Sequence, residues 1–494
     1  MNIQEAKEEI IHTIRAYHRK DTYGNYLYPI DQQRPVLLIG PPGIGKTAIV
    51  SQAAEECGIG LVSYTLTHHT RQSAIGLPKI VKHRYGEQET EVTEYTMSEI
   101  IASVYSCMEQ TGREEGILFI DEINCVSETL LPVMLQFLQN KTFGTHRVPD
   151  GWMIVAAGNP KEYSRSVREL DIAVMDRVRK IELEPDLPAW KIYAEQKDMH
   201  PAILAYLDMH AEHFYSAGQG ENGPYFVTAR GWENLSELIK NYEALEIPIT
   251  VQQIREFLNR KDIAEGFAAY WRLFCRYHAD YEVKAFLDLA AARKSDREME
   301  EEADRILEKQ RRMAENADLE ERYTVVYQLL AVFNRKLQER NEALQTGAGL
   351  MRMAEQLDRY ESEAGKSFSE ETERILQVRV RNQLLTAGEA AEERKLLGIL
   401  KECEIENRLE HGDAVTLKKR LRGKAEVCRR CAEEQKRELS HMLSAMFIFC
   451  LHVFNNDAEL MLLVSGTARN SEAQRLLMEE ENSYFMHYSH MFFE

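Results

Sequence analysis

Short apolar runs alternate with helical sequence in the first half of the chain. Five runs are bounded by Gly, Pro or polar turn residues, at 35–40, 60–66, 116–124, 151–159 and 178–184. Sequence typical of helices, such as 46–57, lies between them. Apolar strands that alternate with helices are typical of a mostly parallel sheet with both faces covered. The pattern therefore predicts an α/β fold with a parallel five-stranded sheet.

The second half of the chain has the pattern of a helical array. All 13 prolines lie at or before Pro248, and proline interrupts helices. Beyond it, apolar residues recur at alternating steps of four and three, at Leu319, Tyr323, Val326, Leu330, Phe333 and Leu337. This spacing predicts a helix stripe or a short coiled-coil seam, which helix packing explains better than a cofactor site does.

The charge of the chain limits its partners. The formal net charge is −19 over 494 residues. An acidic surface repels phosphate backbones, so nucleic acid is disfavoured as a partner unless a local basic groove exists. The basic cluster at 417–430, and His146 with Arg147, are the local features that would support such a groove, and solvated helix or loop faces explain both more simply.

Cysteine usage and hydropathy predict a cytoplasmic protein. Eight cysteines are sparse for this length, which suits a reducing compartment. Cys428 and Cys431 form a CxxC in a charged helical stretch without a second cysteine pair, which chance spacing on a helix explains better than a metal site. The apolar run at 442–454 is too short to span a bilayer, and the first twenty residues lack the apolar core of a secretory signal.

The segment GPPGIGKT at 40–47 matches the pattern G-x-x-x-x-G-K-[ST]. It follows a predicted strand and opens a predicted helix, which is where a phosphate-binding loop has to lie. Its glycines let main-chain N–H groups surround phosphates, and the helix N-terminus adds positive potential. Lys46 would reach the β- and γ-phosphates, and Thr47 would ligate Mg²⁺. We expect ATP to be bound by Gly40, Pro41, Pro42, Gly43, Ile44, Gly45, Lys46 and Thr47.

An acidic pair follows the strand ILFI at 117–120. Asp121 can hold the magnesium ion together with Thr47, and Glu122 can polarise water for attack on the γ-phosphate. A solvated turn is the simpler explanation of two acidic residues after a strand. Their position after a phosphate-binding loop favours the catalytic role, and predicts ATP hydrolysis.

Asn159 ends the apolar run at 151–159. In a sheet of this kind, the strand after the acidic one can lie between it and the strand of the phosphate loop. Asn159 would then lie beside the γ-phosphate, where its amide can orient the attacking water. An ordinary turn asparagine before Pro160 is the alternative.

The motifs GPPGIGKT, LFIDEIN, AAGNP and LDIAVMDRVRK together resemble those of the AAA+ ATPases, and within them the MoxR-type group of dynein-related domains. The last motif is similar to the element in which an arginine of this family enters the neighbouring subunit's site, which implies that role for Arg177. Arg165, Arg168 and Arg179 are weaker candidates, and surface ion pairs explain them more simply. The valine in DRV is a departure from the phenylalanine that is common there.

Three further segments agree with this resemblance. FVTARGWENL at 226–235 is similar to the second sensor of the family, an arginine on a lid helix, which implies that role for Arg230. RQSAIGLP at 71–78 resembles the segment that carries the helix-2 insertion, and 141–152 has the position of the hairpin before the first sensor. The resemblance covers about residues 30–275.

The resemblance over about residues 30–275, together with the proline-free helical pattern beyond it, gives a division into domains. We predict a nucleotide-binding core at 1–184, a helical lid at 185–292 and an all-helical C-terminal domain at 293–494 that docks a partner or substrate. The complete prediction is an α/β P-loop fold of the AAA+ type with an all-helical C-terminal region.

The resemblance implies a homo-oligomeric ring, often a hexamer, in which each site is completed by the adjacent subunit. It further implies chaperone-like remodelling or activation of a protein partner, with a von Willebrand factor A-type domain protein as one candidate. A nucleic-acid-dependent motor and a nucleotide switch with low turnover are the alternatives.

Overall fold

The computed structural model describes residues 1–29, 32–65, 76–85, 88–125, 130–143, 146–163, 167, 172–220, 223–292, 297–357, 367–381, 387–410, 413–454, 457–468, 470 and 473–476. Contacts divide the chain into two compact units. The first unit comprises Met1–His200 and His210–Gly266, and the second comprises Pro201–Met209 and Phe267–Glu494. The domain boundaries at 184 and 292 stay a prediction.

The strands found among the described residues all lie in the first unit. In chain order they are β1 (Val36–Ile39), β2 (Gly60–Thr65), β3 (Pro78–Tyr85), β4 (Gln88–Tyr95), β5 (Gly116–Asp121), β6 (Thr142–Phe143), β7 (His146–Arg147), β8 (Trp152–Gly158), β9 (Arg179–Glu182), β10 (Ser216–Gly220) and β11 (Gly223–Val227). Five of them form one parallel sheet in the order β2-β5-β8-β1-β9. The predicted parallel five-stranded sheet is therefore confirmed, with β8 between the acidic strand and the strand of the phosphate loop.

The described helices of the first unit are α1 (Ile3–Tyr17), α2 (Lys46–Glu56), α3 (Glu99–Thr111), α4 (Leu131–Asn140), α5 (Ile172–Met175), α6 (Leu187–Gln196), α8 (Ala229–Ala244) and α9 (Val251–Phe257). In the second unit lies α7 (Pro201–Met209), and α10 (Lys261–Tyr281) begins in the first unit and continues into the second. A capping box at Asn2 and Glu5 starts α1.

Both faces of the parallel sheet are buried, because successive side chains of a strand point to opposite faces. Leu118 and Ile120 of β5 pack in one apolar cluster with residues of α3 and α4. Ile117 and Phe119 of the same strand pack in another cluster with residues of α1 and α2. Apolar residues at every position of a strand are what a sheet with two covered faces requires.

The described residues of the second unit form helices joined by short turns, without a strand. After α10 it continues with α11 (Val283–Ala292), α12 (Arg297–Ala314), α13 (Leu319–Gln356), α14 (Phe368–Arg381), α15 (Ala387–Leu409), α16 (Ala414–Phe449), a π-helical turn (Cys450–Phe454) and α17 (Asp457–Ala468). The long helices α13 and α16 pack together and share its larger apolar core. The helical C-terminal region is therefore as predicted.

The patterns read from the second half of the sequence lie in this core. Val326, Leu330, Phe333 and Leu337 of the stripe on α13 are buried, whereas Leu319 at the start of the helix is 49% exposed. The apolar run at 442–454 ends α16 and forms the π-helical turn, and it packs in the same core. Among the helices of the described residues, none combines the length and the apolar character that crossing a membrane requires.

Candidate functional site

Three neighbouring strands bring the phosphate loop, Asp121 and Asn159 to one edge of the sheet. The loop at 40–47 follows β1, Asp121 is the last residue of β5, and Asn159 directly follows β8. Because β5, β8 and β1 are adjacent and parallel, their carboxyl ends meet at this edge. Ligands of open α/β sheets bind outside the carboxyl ends of the strands.

The loop at 40–47 wraps around the start of α2. Gly43 and Gly45 have φ angles of +76° and +100°, which residues other than glycine rarely adopt. Gly45 is the N-cap residue of α2, so the first main-chain N–H groups of this helix point out of its N-terminus. An N-terminus of this kind is a binding site for anions. The loop therefore fits the phosphates of a nucleotide.

Lys46 lies under this loop and is 8% exposed. Its ammonium group donates to the main-chain oxygens of Gly40 at 2.8 Å and Pro41 at 2.9 Å, and to Oδ1 of Asn159 at 2.9 Å. Burial lowers the pKa of Lys46 to about 8, although the nearby carboxylate of Asp121 raises it. A buried ammonium with only neutral oxygens as hydrogen-bond partners is suited to receive an anionic ligand.

Thr47 and Asp121 supply two oxygen atoms at the same place. Oγ1 of Thr47 donates to Oδ2 of Asp121 at 3.0 Å, and Oδ1 of Asp121 accepts from the main-chain N–H of Glu122 at 2.9 Å. A hydroxyl and a carboxylate are the hard oxygen ligands that Mg²⁺ takes in nucleotide sites. This donor set therefore fits a magnesium ion, with Thr47 and Asp121 as its ligands.

Glu122 has an unusual backbone conformation for a residue with a side chain. Its φ angle is +56°, in the left-handed region. Such a conformation costs free energy and persists where the surrounding structure holds it, often at a functional site. Here the next residue, Ile123, donates its main-chain N–H to Ala157 of β8 at 2.9 Å, which holds the chain after the turn. The half-buried Glu122 thereby lies directly beyond the end of β5.

Asn124 is a residue of this site that the sequence reasoning missed. Its side-chain amide is buried and hydrogen-bonds to the main chain of Asn159. A signal was present in the sequence, because Asn124 is a polar residue directly after the buried Ile123 in the segment LFIDEIN. A buried amide needs hydrogen-bond partners, so an asparagine at this position predicts a polar group opposite it.

The start of α8 packs against the phosphate loop. Thr228 caps this helix, and a Cβ atom on Gly43 would lie 2.9 Å from the Cβ and Oγ1 atoms of Thr228. Arg230 donates its main-chain N–H to the oxygen of Gly43 at 3.1 Å. Its side chain is exposed, and its positive charge is one of the causes that lower the pKa of Lys46. The structure thus places Arg230 beside the loop.

Tyr215 makes a second contact between this part of the chain and the loop. Its hydroxyl donates to the main-chain oxygen of Pro42 at 3.0 Å. Burial raises the pKa of Tyr215, so this hydroxyl stays protonated and can donate at neutral pH. Nothing in the sequence pattern pointed to Tyr215, because its partner is 173 residues away.

Arg177 and Arg179, which follow β8 in the chain, lie in different surroundings. Arg177 is exposed and lies between α5 and β9. Because Arg179 pairs with Val36 at the start of β1, Arg177 lies beyond the amino ends of the strands, at the opposite edge from the phosphate loop. The guanidinium of Arg179 donates to Oγ1 of Thr13 at 2.8 Å and pairs with Glu9 of α1. Arg165 and Arg168 lie outside the described residues.

Two hairpins lie where the resemblance implied insertions. Residues 71–75 of the segment 71–78 lie outside the described residues, and β3 and β4 then form an antiparallel hairpin. In β4, acidic and β-branched residues alternate from Glu89 to Val92, a strand signal that the sequence reasoning did not use. The second hairpin, β6 with β7, lies within 141–152.

Comparison with known protein families matches residues 35–178 to the AAA domain of the dynein-related subfamily. Among curated proteins, the chain is similar to Midasin from Giardia intestinalis, at 26% identity over 155 residues, which are 29% of this chain and 3% of that protein. It is also similar to the ATPase family gene 2 protein homolog A from Homo sapiens, at 37% identity over 99 residues, which are 20% of this chain and 9% of that protein. The chain therefore spans less than a tenth of the length of each of these relatives.

The match at 35–178 includes the phosphate loop, the acidic pair and Asn159, which the sheet brings together at one edge. It ends at Val178, just after Arg177. Residues 35–178 therefore carry an AAA domain of the dynein-related subfamily, and the similarity to an ATPase family protein supports ATPase activity in this domain.

Proposed function

We propose that the chain hydrolyses ATP at the carboxyl ends of β1, β5 and β8. Lys46 binds the β- and γ-phosphates within the loop of residues 40–47. Thr47 and Asp121 hold Mg²⁺, which when bound neutralises charge on the phosphate oxygens. Glu122 accepts a proton from the attacking water, and the side-chain amide of Asn159 orients that water. Arg230, which lies beside the loop, stabilises the charge that develops on the phosphoryl oxygens.

We further propose that the chain works as a homo-oligomeric ring, such as a hexamer. The observation that carries this proposal is the position of Arg177. Four residues of β1 separate the level of Val36 from the loop, which is about 13 Å of strand, and Arg177 lies beyond Val36. Arg177 therefore cannot serve the site of its own subunit. In a ring it serves the site of the adjacent subunit, as the resemblance to the MoxR-type group implies.

The work done with ATP is proposed to be the remodelling or activation of a protein partner, as in the MoxR-type group. The motifs at 40–47, 117–124, 156–160 and 170–180 support this subtype by resemblance. The helical second unit offers long exposed helix surfaces for docking a partner or substrate, with a von Willebrand factor A-type domain protein as one candidate. The net charge of −19 disfavours the alternative of a nucleic-acid motor, for which DNA or RNA would stimulate the ATPase rate.

Subunit mixing tests the ring proposal. Arg177→Ala subunits keep their own Glu122 but offer no arginine to a neighbour, whereas Glu122→Gln subunits offer an intact Arg177 but cannot activate water. Each variant alone should hydrolyse ATP about 100-fold or more slowly than the parent, because each lacks one transition-state interaction. After random mixing in equal amounts, about one quarter of the sites combine an intact Glu122 with an intact neighbouring Arg177. The mixture should therefore recover about a quarter of the parent rate.

Two controls accompany the mixing experiment. Mixing Arg177→Ala with the double variant Arg177→Ala, Glu122→Gln leaves no intact arginine in any ring and should recover nothing. Arg179→Ala should keep near-parental turnover, because the guanidinium of Arg179 is bound to Thr13 and Glu9. If Arg177→Ala and Glu122→Gln exchange subunits but give only the average of their separate rates, Arg177 does not act on a neighbour's site.

A further inference from the structure

The buried side-chain amide of Asn124 hydrogen-bonds to both the N–H and the C=O of the main chain of Asn159. Nδ2 of Asn124 donates to the main-chain oxygen of Asn159 at 2.7 Å, and the main-chain N–H of Asn159 donates to Oδ1 of Asn124 at 3.2 Å. Asn124 is 4% exposed. One side chain thus satisfies both main-chain polar groups of the residue that follows β8.

The course of the main chain after β5 explains why a side chain, and not a neighbouring strand, hydrogen-bonds to the main chain of Asn159. The ladder of β5 and β8 ends at the pair Ile120 and Ala156. Beyond it, Glu122 has a left-handed conformation, and the next main-chain hydrogen bond to β8 runs from the N–H of Ile123 to the oxygen of Ala157, one residue short of Gly158. The main chain after β5 therefore does not continue the ladder to Asn159. The amide of Asn124, which has the same donor and acceptor as a peptide group, continues it instead.

Gly158 makes room for this pairing. A Cβ atom at Gly158 would lie 2.6 Å from Oδ1 and 2.8 Å from Cγ of Asn124. The φ angle of Gly158 is not in the left-handed region, so the close approach of Asn124, rather than backbone conformation, is what requires glycine here. The identity of Gly158 is thus tied to the side chain of Asn124.

The residue held in this way is the one that contacts Lys46. Oδ1 of Asn159 accepts from Nζ of Lys46 at 2.9 Å. The residue after it, Pro160, restricts the backbone of Asn159 further, because a residue before proline is confined to extended conformations. With its backbone fixed by Asn124 and Pro160, Asn159 can direct its amide only through its own side-chain torsions.

We propose that Asn124 is a positioning residue for ATP hydrolysis: it fixes the main chain of Asn159 and thereby sets the place of the Asn159 amide relative to Glu122 and Lys46. This inference rests on the proposed function. Asn124 itself does not touch the reacting atoms. Its removal should therefore affect the chemical step through Asn159 and leave ATP binding by the loop largely intact.

The first measurement compares kcat with ATP affinity in the full-length protein. For Asn124→Ala, kcat should fall about 10- to 100-fold, because a misplacement of about 1 Å at a reacting centre can cost 100-fold. The dissociation constant for ATP should stay within about threefold of the parent, because Lys46 and Thr47 are unchanged. Gly158→Ala, which displaces the Asn124 amide while keeping it in the chain, should give the same pattern.

A double-mutant cycle then separates positioning from a merely structural role. Asn159→Ala should lower kcat, and adding Asn124→Ala to it should lower kcat by less than about twofold more, because the two changes remove one interaction. Asn407→Ala is the matched control. Asn407 is also buried, at 7% exposed, and donates to the oxygen of Asp413 in the second unit. Its loss should lower thermal stability without this pattern in kcat.

The proposal is overturned if Asn124→Ala and Gly158→Ala both keep kcat within twofold of the parent. It is also overturned if Asn124→Ala lowers kcat by the same factor in the parent and in the Asn159→Ala variant. Should Asn124→Ala fail to fold, Asn124→Asp, which keeps the acceptor for the N–H of Asn159 and loses the donor, and Gly158→Ala carry the same comparison. A parent without ATPase activity overturns the proposed function itself, and is detected before any variant is measured.

Discussion

Raising the pH from 7 to 9 should weaken ATP binding through Lys46. Burial lowers the pKa of Lys46 to about 8 in the ligand-free site. A bound triphosphate places negative charge beside the ammonium, which favours its charged form and raises its pKa. Binding above pH 8 therefore takes up a proton. The affinity for ATP is greatest below pH 8 and is lost as the pH rises through 8 towards the pKa of the complex.

The magnitude follows from the pKa. With a pKa of about 8, about half of the ligand-free molecules carry a charged Lys46 at pH 8, and about one tenth do so at pH 9. The apparent affinity should therefore fall about tenfold between pH 7 and pH 9, which is about 1.4 kcal/mol. At pH 8, binding should take up about half a proton per site.

Isothermal titration calorimetry with a non-hydrolysable ATP analogue, in buffers of different ionisation enthalpy, measures both quantities. The γ-phosphate of the nucleotide is fully ionised across the upper part of this range, so its own titration does not contribute there. Lys46→Arg is the matched control, because guanidinium does not titrate below pH 12. Whatever its affinity, this variant should show no proton uptake between pH 8 and pH 9. Equal uptake by the parent and Lys46→Arg would assign the titration to another group and refute the reasoning.

Two further substitutions test the roles of the loop and of the acidic pair. Lys46→Ala should abolish measurable ATP binding in equilibrium dialysis, because the positive charge on the β- and γ-phosphates is lost; unchanged affinity would remove the loop from the site. Glu122→Gln should bind Mg·ATP as the parent does but turn it over about 100-fold or more slowly, because an amide cannot accept a proton from water. Near-normal turnover of that variant would show that another group activates the water.

The parts of the site that the sequence predicts are those whose function depends on neighbours along the chain. Lys46 and Thr47 open α2 directly after the loop that follows β1, so the motif fixes both their types and their surroundings. Asp121 ends β5 and Asn159 directly follows β8, and both come after continuous apolar runs, which predict a parallel sheet and hence a shared edge. Local sequence decides these positions because strand ends and helix starts are local events.

The parts that the sequence does not predict depend on residues that are distant in the chain. Arg177 and Arg179 have the same chemistry two positions apart, and only the place of α1 shows that Arg179 is bound to Thr13 and Glu9. The role of Asn124 depends on which residue lies opposite it, and its partner is 35 positions away. No spacing rule connects such pairs before the order of the strands is known.

The hydrogen bonds of Lys46 connect ATP binding to the position of Asn159. An ammonium group has three donors, and those of Lys46 meet the oxygens of Gly40, Pro41 and Asn159. Contact with a phosphate oxygen therefore requires Lys46 to give up one of these partners. Two of them belong to the loop that surrounds the phosphates, whereas Oδ1 of Asn159 comes from β8. A charged phosphate oxygen is a stronger acceptor than any of these three neutral oxygens. We expect the exchange to occur at Asn159, because its side-chain amide can rotate away whereas the other two oxygens belong to the main chain of the loop. The amide of Asn159 would then become available to water when a phosphate has reached Lys46, while Asn124 keeps its main chain in place.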